Sequence, residues 1–250
     1  AVDNGIPVAI KARRPGIVGT LHTDIDIIAY LARQLHNHFD PEVFDPIEIV
    51  TEFKDYTERE LDYRVEARNL KRARERAEHV RVPKVYWSSE DLLIMEYING
   101  EECKNLDHDR EETAQTLTNS FFKQVFNNGF FHADPHPSNI LVTDNDVVLV
   151  DYGITGELNE ETRQALTTLF TGMITKDLDT ILTAAQTLGA VDTITPELRN
   201  DLHDYLAPYY DTTLAEIDLA QAIHDGFRLA RKHDLHLPRD VVLLGKAVIT

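Results

Sequence analysis

In the first part of the chain, the spacing of apolar residues fits a β-strand in one segment and α-helices in others. Residues 6–11, IPVAIK, have the composition of a β-strand, and an Asn-Gly pair just before them is a hairpin turn signal. From Asp24 to Phe39, apolar residues recur every three or four positions, which predicts a helix. Residues 47–79 predict a second, longer helical region rich in Glu and Arg.

The same pattern predicts two more strands and then a largely helical second half. The strands cover residues 82–86 and 91–97, with a Ser-Ser-Glu-Asp turn between them. The remaining predicted elements are a helix from Glu111 that stops at Gly129, a loop at HADPHPSN (132–139), short strands at 139–142 and 147–150, a helix capped by Thr195, a helix at about 214–233 and an apolar helical run at the end.

This order of elements predicts an α+β fold with two lobes joined near Ile98. Residues 1–97 would form a small mixed lobe that contains inserted helices, and residues 98–250 a larger, mostly α-helical lobe. The chain opens on a strand-like segment and stops inside an apolar helical run. We therefore expect it to be a fragment, with the small lobe truncated at its start and the large lobe at its end.

Composition narrows the classes of partner. A formal net charge of −18 repels phosphate backbones and argues against a nucleic-acid partner, although a salt-adapted protein would show the same acidity. The single cysteine, Cys103, excludes an intramolecular disulfide and fits a reducing compartment. The sequence contains no apolar run long enough to span a membrane and no signal-peptide pattern at its start.

The polar loop HADPHPSN permits two interpretations. His132, Asp134 and His136 alternate, and an H-x-D-x-H loop could bind one divalent metal, as in a metal-dependent hydrolase. Alternatively, H-x-D-x-x-x-x-N followed by a hairpin and D-x-G matches the catalytic loop and metal-binding segment of protein kinases. Asp134 would then act on the acceptor proton, and Asn139 and Asp151 would hold Mg²⁺ on ATP.

Segments earlier in the chain meet the other requirements of a kinase. VAIK at 8–11 would place Lys11 on the nucleotide phosphates, and the acidic helix supplies Glu66 as its carboxylate partner. In that helical region Glu58, Asp62, Glu66 and Asn69 are spaced to share one face. The strand LLIMEYI would end in a hinge, with Met95 as gatekeeper and with backbone groups of Glu96 and Ile98 near adenine. Four motifs in kinase order favour this interpretation over the metal loop.

Two departures from ordinary protein kinases limit the type of substrate. Between Lys11 and Glu66 lie 54 residues, which implies an inserted helical segment. After Asp151-Tyr152-Gly153 the chain is predicted to enter a helix directly, without a long activation segment or an Ala-Pro-Glu motif. The platform that holds a peptide substrate in protein kinases is therefore expected to be absent.

Several segments together resemble the UbiB/ADCK family of atypical kinases: VAIKARRPGI at 8–17, ELDYRVEARN at 60–69, FFHADPHPSNIL at 130–141 and VDYG at 150–153. The resemblance covers essentially the whole chain. It implies a protein-kinase-like fold, binding of ATP with Mg²⁺, and an ATPase or kinase activity that supports isoprenoid quinone biosynthesis or lipid homeostasis. It also implies a position on the cytoplasmic side of a membrane, peripheral or anchored through segments outside these residues, and quinone-pathway lipids or proteins as partners.

The resemblance also assigns residues. Lys11, Glu66, Asp134, Asn139 and Asp151 take the roles given above. Glu60 and Asp62 would be the acidic pair of the family, which meets a Lys-x-Gly-Gln segment of an N-terminal extension; no such segment occurs in this sequence, nor does a small-residue loop over the phosphates. Ser138 stands where the family has glycine.

A third class of function remains open from the sequence. A pseudokinase or lipid-binding regulatory scaffold would keep the same fold and the same residues without turnover. Residue identity alone does not separate it from an active enzyme.

Overall fold

The computed structural model divides the chain into two compact units. The first comprises Ala1–Glu75, Arg81–Glu101 and Leu141–Ile154, and the second comprises Arg76–Val80, Glu102–Ile140 and Thr155–Thr250. The structure describes residues 2–3, 5–36, 46–47, 50–51, 53–54, 57, 61–106, 110–210, 212 and 218–249.

The first unit is built on an antiparallel four-stranded sheet of order β1-β2-β4-β3. Its strands are β1 (Val2–Asp3), β2 (Ile6–Ala12), β3 (Val85–Ser88) and β4 (Leu92–Glu96). In the register of the two central strands, Lys11 lies opposite Leu93. The predicted strands therefore form, although β3 begins at Val85 and not at residue 82, and Gly5 lies in the turn that precedes β2.

Helices α1 (Ile17–His36) and α2 (Tyr63–Arg76) belong to the same unit as this sheet, and several of the described residues between 46 and 57 are also helical. Helix α1 begins earlier than the spacing of apolar residues predicted. Within it Ile25 and Ala32 are buried, whereas Ile28 and Leu31 are exposed, so only part of the apolar stripe forms core. Helix α2 buries Glu66, Ala67, Leu70 and Ala73.

The helical region predicted over residues 47–79 is interrupted at Asp62 and ends at Arg76. Leu61 lies in a turn and Asp62 is not helical, because the Asp62 carboxylate caps the new helix by accepting from the Arg64 amide at 2.9 Å. Glu66 and Asn69 remain neighbours on α2, while Asp62 precedes it. Glu58 lies outside the described residues.

Strands β5 (Glu101–Glu102), β7 (Ile140–Val142) and β8 (Val147–Leu149) form a three-stranded sheet, most of whose residues belong to the first unit. Arg81 extends it, because its amide donates to Val147 O at 2.8 Å and its carbonyl accepts from Leu149 N at 3.0 Å. The Asp-Tyr-Gly segment follows β8 directly. This hairpin therefore places Asp151 in the same unit as Lys11.

The second unit is mostly helical. Its elements are α3 (Arg110–Phe122), a π-helical segment (Lys123–Asn128), β6 (Phe130–His132), β9 (Thr155–Glu157), α4 (Glu160–Thr175), α5 (Leu178–Thr187), α6 (Pro196–Leu206), α7 (Leu219–Lys232) and α8 (Arg239–Ile249). Gly129 ends the π-helical segment in a left-handed conformation, and Thr195 caps α6, both as predicted. None of the helices in the described part of the chain is both long and apolar enough to cross a membrane.

The segment after Gly153 differs from the prediction of direct entry into a helix. Residues Thr155–Glu157 form β9, which pairs antiparallel with β6 before α4 begins. Phe131 of β6 is fully buried and lies opposite Gly156, where a side chain would collide with its ring. This small ladder supports the strand that leads into the HADPHPSN loop.

Candidate active site

Two carboxylates from different parts of the first unit converge on the ammonium group of Lys11. Lys11 Nζ lies 2.5 Å from Glu66 Oε1 and 2.7 Å from Asp151 Oδ2. Strand β2 supplies the lysine, helix α2 the glutamate, and the segment after β8 the aspartate. Residues 55 and 140 positions apart are thus brought together.

The two carboxylates determine the charge state of Lys11. Burial alone would lower the pKa of Lys11, but the charges of Glu66 and Asp151 and their hydrogen bonds outweigh it, so the pKa lies above its ordinary value. Lys11 is therefore a permanent cation in this unit at physiological pH.

Glu66 is the most deeply buried member of the cluster, with 6% of the residue exposed. Burial raises the pKa of Glu66; Lys11 opposes that shift, and the charge of Asp151 adds to it. A backbone hydrogen bond from Tyr152 also reaches the Glu66 carboxylate. Glu66 therefore contacts both Lys11 and the Asp-Tyr-Gly segment.

Helix α2 holds the Asp-Tyr-Gly segment by a second contact. Asn69 Nδ2 donates to Tyr152 O at 2.9 Å, and the Tyr152 side chain is buried. The Asp151 carboxylate is oriented locally, because its Oδ1 accepts from the Gly153 amide at 2.9 Å. Its other oxygen is thereby directed towards Lys11.

A cleft of about 330 Å³ surrounds these groups within the first unit. Its lining residues are Lys11, Asp62, Tyr63, Val65, Glu66, Asp151 and Gly153. Asp62 also binds Arg64, whose hydrogen bond is the main reason that the pKa of Asp62 lies below its usual range. Glu60, the other member of the predicted acidic pair, lies outside the described residues.

The predicted hinge residues lie at the end of β4. Met95 and Ile98 are buried. Glu96 takes part in the sheet, because its amide donates to Lys84 O at 2.8 Å and its carboxylate accepts from the Lys84 amide at 3.1 Å and pairs with Arg81. The Glu96 amide is therefore engaged by the neighbouring strand.

The HADPHPSN loop belongs to the second unit and is held by its own backbone. The Asp134 amide donates to His132 Nδ1 at 3.0 Å, and the His136 amide donates to Asp134 O at 2.7 Å. Asn139 closes the turn: its amide donates to His136 O at 2.7 Å, and its Nδ2 approaches Asp134 O at 3.5 Å. Asp134 and Asn139 are thus set in one compact loop.

The geometry of this loop does not form the metal site of the hydrolase hypothesis. His132 Nδ1 accepts from the loop backbone, and His136 Nδ1 lies 2.7 Å from Ser138 Oγ. Among the residues that the structure describes, no group of three or more His, Cys, Asp or Glu side chains is arranged to hold a metal ion. The alternating histidines serve the loop backbone instead.

Two residues near the loop were missed by the sequence analysis. Gln124, in the π-helical segment, accepts from the His132 amide through Oε1 at 2.9 Å. Lys246 of α8 lies 3.6 Å, Nζ to Oδ1, from Asp134. A lone lysine in the apolar run VVLLGKAVI was the available signal for Lys246, whereas no local pattern indicates the role of Gln124.

Comparison with known proteins decides the family. A model of the ABC1 atypical kinase-like domain matches residues 1–185, and a model of the UbiB helical domain matches residues 202–250. The chain belongs to the UbiB family of atypical kinases. The resemblance predicted from the sequence motifs is confirmed. The second match assigns α7 and α8 of this UbiB-family chain to the UbiB helical domain.

Two relatives of this UbiB-family chain align with nearly all of it. A protein of *Clostridium pasteurianum*, described as an uncharacterised protein in the hydrogenase 1 5′ region, is 28% identical over 99% of this chain and 49% of its own length. An uncharacterised protein of *Synechocystis* is also 28% identical, over 99% of this chain and 66% of its own. The chain therefore spans between about half and two thirds of the length of these relatives.

A solved structure supports the predicted fold. The complex of Rv3197 with erythromycin from *Mycobacterium tuberculosis* matches 97% of this chain and 66% of its own, with a TM-score of 0.65 and 19% identity. Together with the family match, this confirms the predicted α+β, protein-kinase-like fold.

Proposed function

We propose that this chain is the nucleotide-binding core of a Mg²⁺-dependent atypical kinase or ATPase. The observation that carries the proposal is the position of Lys11 between Glu66 and Asp151 in the cleft of the first unit. Phosphoryl transfer depends mainly on positioning and on neutralising charge, and a lysine held by a helix carboxylate is a recurring part of kinase sites.

In the proposed site Lys11 contacts the α- and β-phosphates of ATP. The contact between Lys11 and Asp151 suits the protein without nucleotide. When ATP enters, Lys11 would bind phosphate and Asp151 would bind the metal ion, so the two side chains would separate. Glu66 keeps Lys11 in place during that exchange. Of the hinge residues, the Glu96 carbonyl and the Ile98 backbone are proposed to contact adenine, with Met95 behind them.

Asp151 and Asn139 are proposed as ligands of a magnesium ion, because Mg²⁺ prefers hard oxygen ligands such as carboxylates and amide carbonyls. Asp151 is a partly exposed carboxylate that lines the cleft of the first unit. When bound, the metal would neutralise the charge that develops on the phosphate oxygens. Asp134 is proposed to orient the attacking hydroxyl or water and to accept its proton.

The acceptor is proposed from family membership. We infer a substrate among quinone-pathway lipids, proteins or small molecules at a membrane surface, because the resemblance to UbiB-type kinases implies a role in isoprenoid quinone biosynthesis or lipid homeostasis. In this chain β9 follows the Asp-Tyr-Gly segment after one residue, so no long activation segment intervenes. Asp62, which lines the cleft, is proposed with Glu60 to receive the family's N-terminal segment.

The test is Mg²⁺-dependent binding of ATP to the full-length protein, measured by calorimetry with and without EDTA. Loss of one charge-assisted contact costs roughly 1.5–3 kcal/mol, so Lys11→Met and Asp151→Asn should each weaken binding by about ten- to a hundredfold. Lys84→Met and Asp146→Asn are matched controls, because both residues lie in the same unit and outside the cleft lining.

Wild-type affinity in both site variants would refute the proposal. Release of phosphate from ATP and transfer of labelled phosphate to a quinone precursor, each measured with anionic vesicles, separate an ATPase from a kinase. Binding without either activity would instead favour a pseudokinase scaffold.

A further inference from the structure

The loop that carries Asp134 contains no lysine or arginine of its own. Between Asp134 and Asn139 the residues are Pro, His, Pro and Ser. Transfer of a phosphoryl group is promoted by fixed cations near the charge that develops on its oxygens. A lysine or arginine beside this loop would therefore have to come from another element of the chain.

Helix α8 supplies such a cation within the second unit. Lys246 Nζ lies 3.6 Å from Asp134 Oδ1, although the two residues are far apart in sequence. The Asp134 carboxylate is about one-third exposed and the Lys246 side chain about one-half, so an incoming group can reach both.

The packing of α8 determines where Lys246 lies. Gly245 lets the helix approach α7 closely, since a Cβ atom at this position would be 3.1 Å from the Phe227 ring and 3.7 Å from Ile223. Ala247, on the other side of Lys246, is buried. At the start of the helix, Asp240 Oδ1 accepts from the Glu157 amide at 3.4 Å, next to β9.

The contact between Lys246 and Asp134 contributes little to the stability of the fold. A half-exposed ion pair typically contributes about 0–1 kcal/mol, and this one is longer than a hydrogen bond. The segment that carries Lys246 belongs to the UbiB helical domain, which contains none of the kinase motifs. The placement of the lysine at the catalytic loop gives that domain a chemical role.

We propose that Lys246 is a positioning residue of the catalytic loop, which holds the Asp134 carboxylate and places a positive charge beside the phosphoryl group that is transferred. The inference rests on the proposed function. It assigns to the UbiB helical domain a direct part in the chemistry.

The test is steady-state turnover of Mg·ATP by the full-length protein, with kcat and KM determined separately. Lys246→Met should lower kcat by about 100-fold, the lower end of the range for one positioned catalytic group, and leave KM for ATP within about twofold. Lys246→Arg should recover most of kcat, because it restores the cation. Lys232→Met is the matched control, since Lys232 also pairs with an aspartate, Asp201 at 2.6 Å, on the neighbouring helices.

A second measurement separates charge from packing. Aluminium fluoride bound with Mg·ADP imitates the phosphoryl group during transfer. It should raise the melting temperature of the wild-type protein above the value with Mg·ADP alone, and this additional rise should be lost in Lys246→Met and kept in Lys232→Met. A kcat for Lys246→Met within twofold of wild type, or equal loss in the Met and Arg variants with a lowered melting temperature, would overturn the inference. Absence of nucleotide binding in the wild-type protein would instead defeat the proposed function itself.

Discussion

Asn69 of α2 donates a 2.9 Å hydrogen bond to the backbone carbonyl of Tyr152, so one helix holds both the partner of Lys11 and the segment that carries Asp151. Asn69 and Glu66 are three residues apart and therefore share a face of α2. The position of Asp151 depends on this helix as much as on its own strand.

We expect Asn69→Ala to weaken Mg·ATP binding although Asn69 is not among the residues that line the cleft. Loss of the donor leaves the Tyr152 carbonyl without this partner, at a cost of roughly 1–3 kcal/mol, and it loosens the segment that presents Asp151. Calorimetry and chemical denaturation of the same samples measure both effects. Asn128→Ala is the control, since Asn128 makes a similar bond to Arg76 O at 3.1 Å on the surface. Unchanged ATP affinity in Asn69→Ala would contradict the expectation.

The ion pairs of Lys11 should make the free energy of unfolding decrease at alkaline pH. Because the folded-state pKa of Lys11 is raised above 10.5, its contribution to stability is complete below pH 10.5 and is lost as pH rises through the folded-state pKa. The difference in free energy of unfolding between wild type and Lys11→Met should therefore shrink above that pH. Urea denaturation from pH 8 to 11.5 measures it, and a difference that grows with pH would show the opposite sign.

Gly156→Ala should destabilise the second unit. A Cβ atom at this position would lie 2.1 Å from the Phe131 ring, and Phe131 is fully buried, so the ladder between β6 and β9 has to shift. Overpacking of this kind costs typically about 1–3 kcal/mol. Gly19→Ala is the opposite case, because it lies in α1 with open space around it and should stabilise by roughly 0.5–1 kcal/mol. Thermal and urea unfolding compare the two, and equal effects would refute the steric argument.

Gln124→Ala should destabilise the strand that leads into the HADPHPSN loop. His132 is buried, and its amide would lose the acceptor at 2.9 Å, which costs about 1–3 kcal/mol. Gln124→Glu keeps an acceptor oxygen and should lose less. Hydrogen exchange of the His132 amide provides the local readout, with the exposed Gln164→Ala as control. An exchange rate unchanged by Gln124→Ala would exclude this role.

The sequence by itself determined the strands, most helices and the order of the kinase motifs. Period-two and period-3.6 patterns depend on residues close in the chain, which is why the strand that carries Lys11 and the cap at Thr195 were predictable. The spacing of Asp134, Asn139 and Asp151 indicated a kinase-like catalytic loop because each interval fits a fixed loop or hairpin. The family was predicted only from four segments together, VAIKARRPGI, ELDYRVEARN, FFHADPHPSNIL and VDYG.

Only the tertiary structure decided which distant side chains meet. The break at Asp62 depends on a competing side-chain cap, which the charge pattern of the long helical region does not distinguish from continued helix. The contacts of Asn69 with Tyr152 and of Lys246 with Asp134 join residues 83 and 112 positions apart in sequence. Such contacts depend on how helices pack against strands and loops, and packing is set by the shapes of many side chains together and not by any local period.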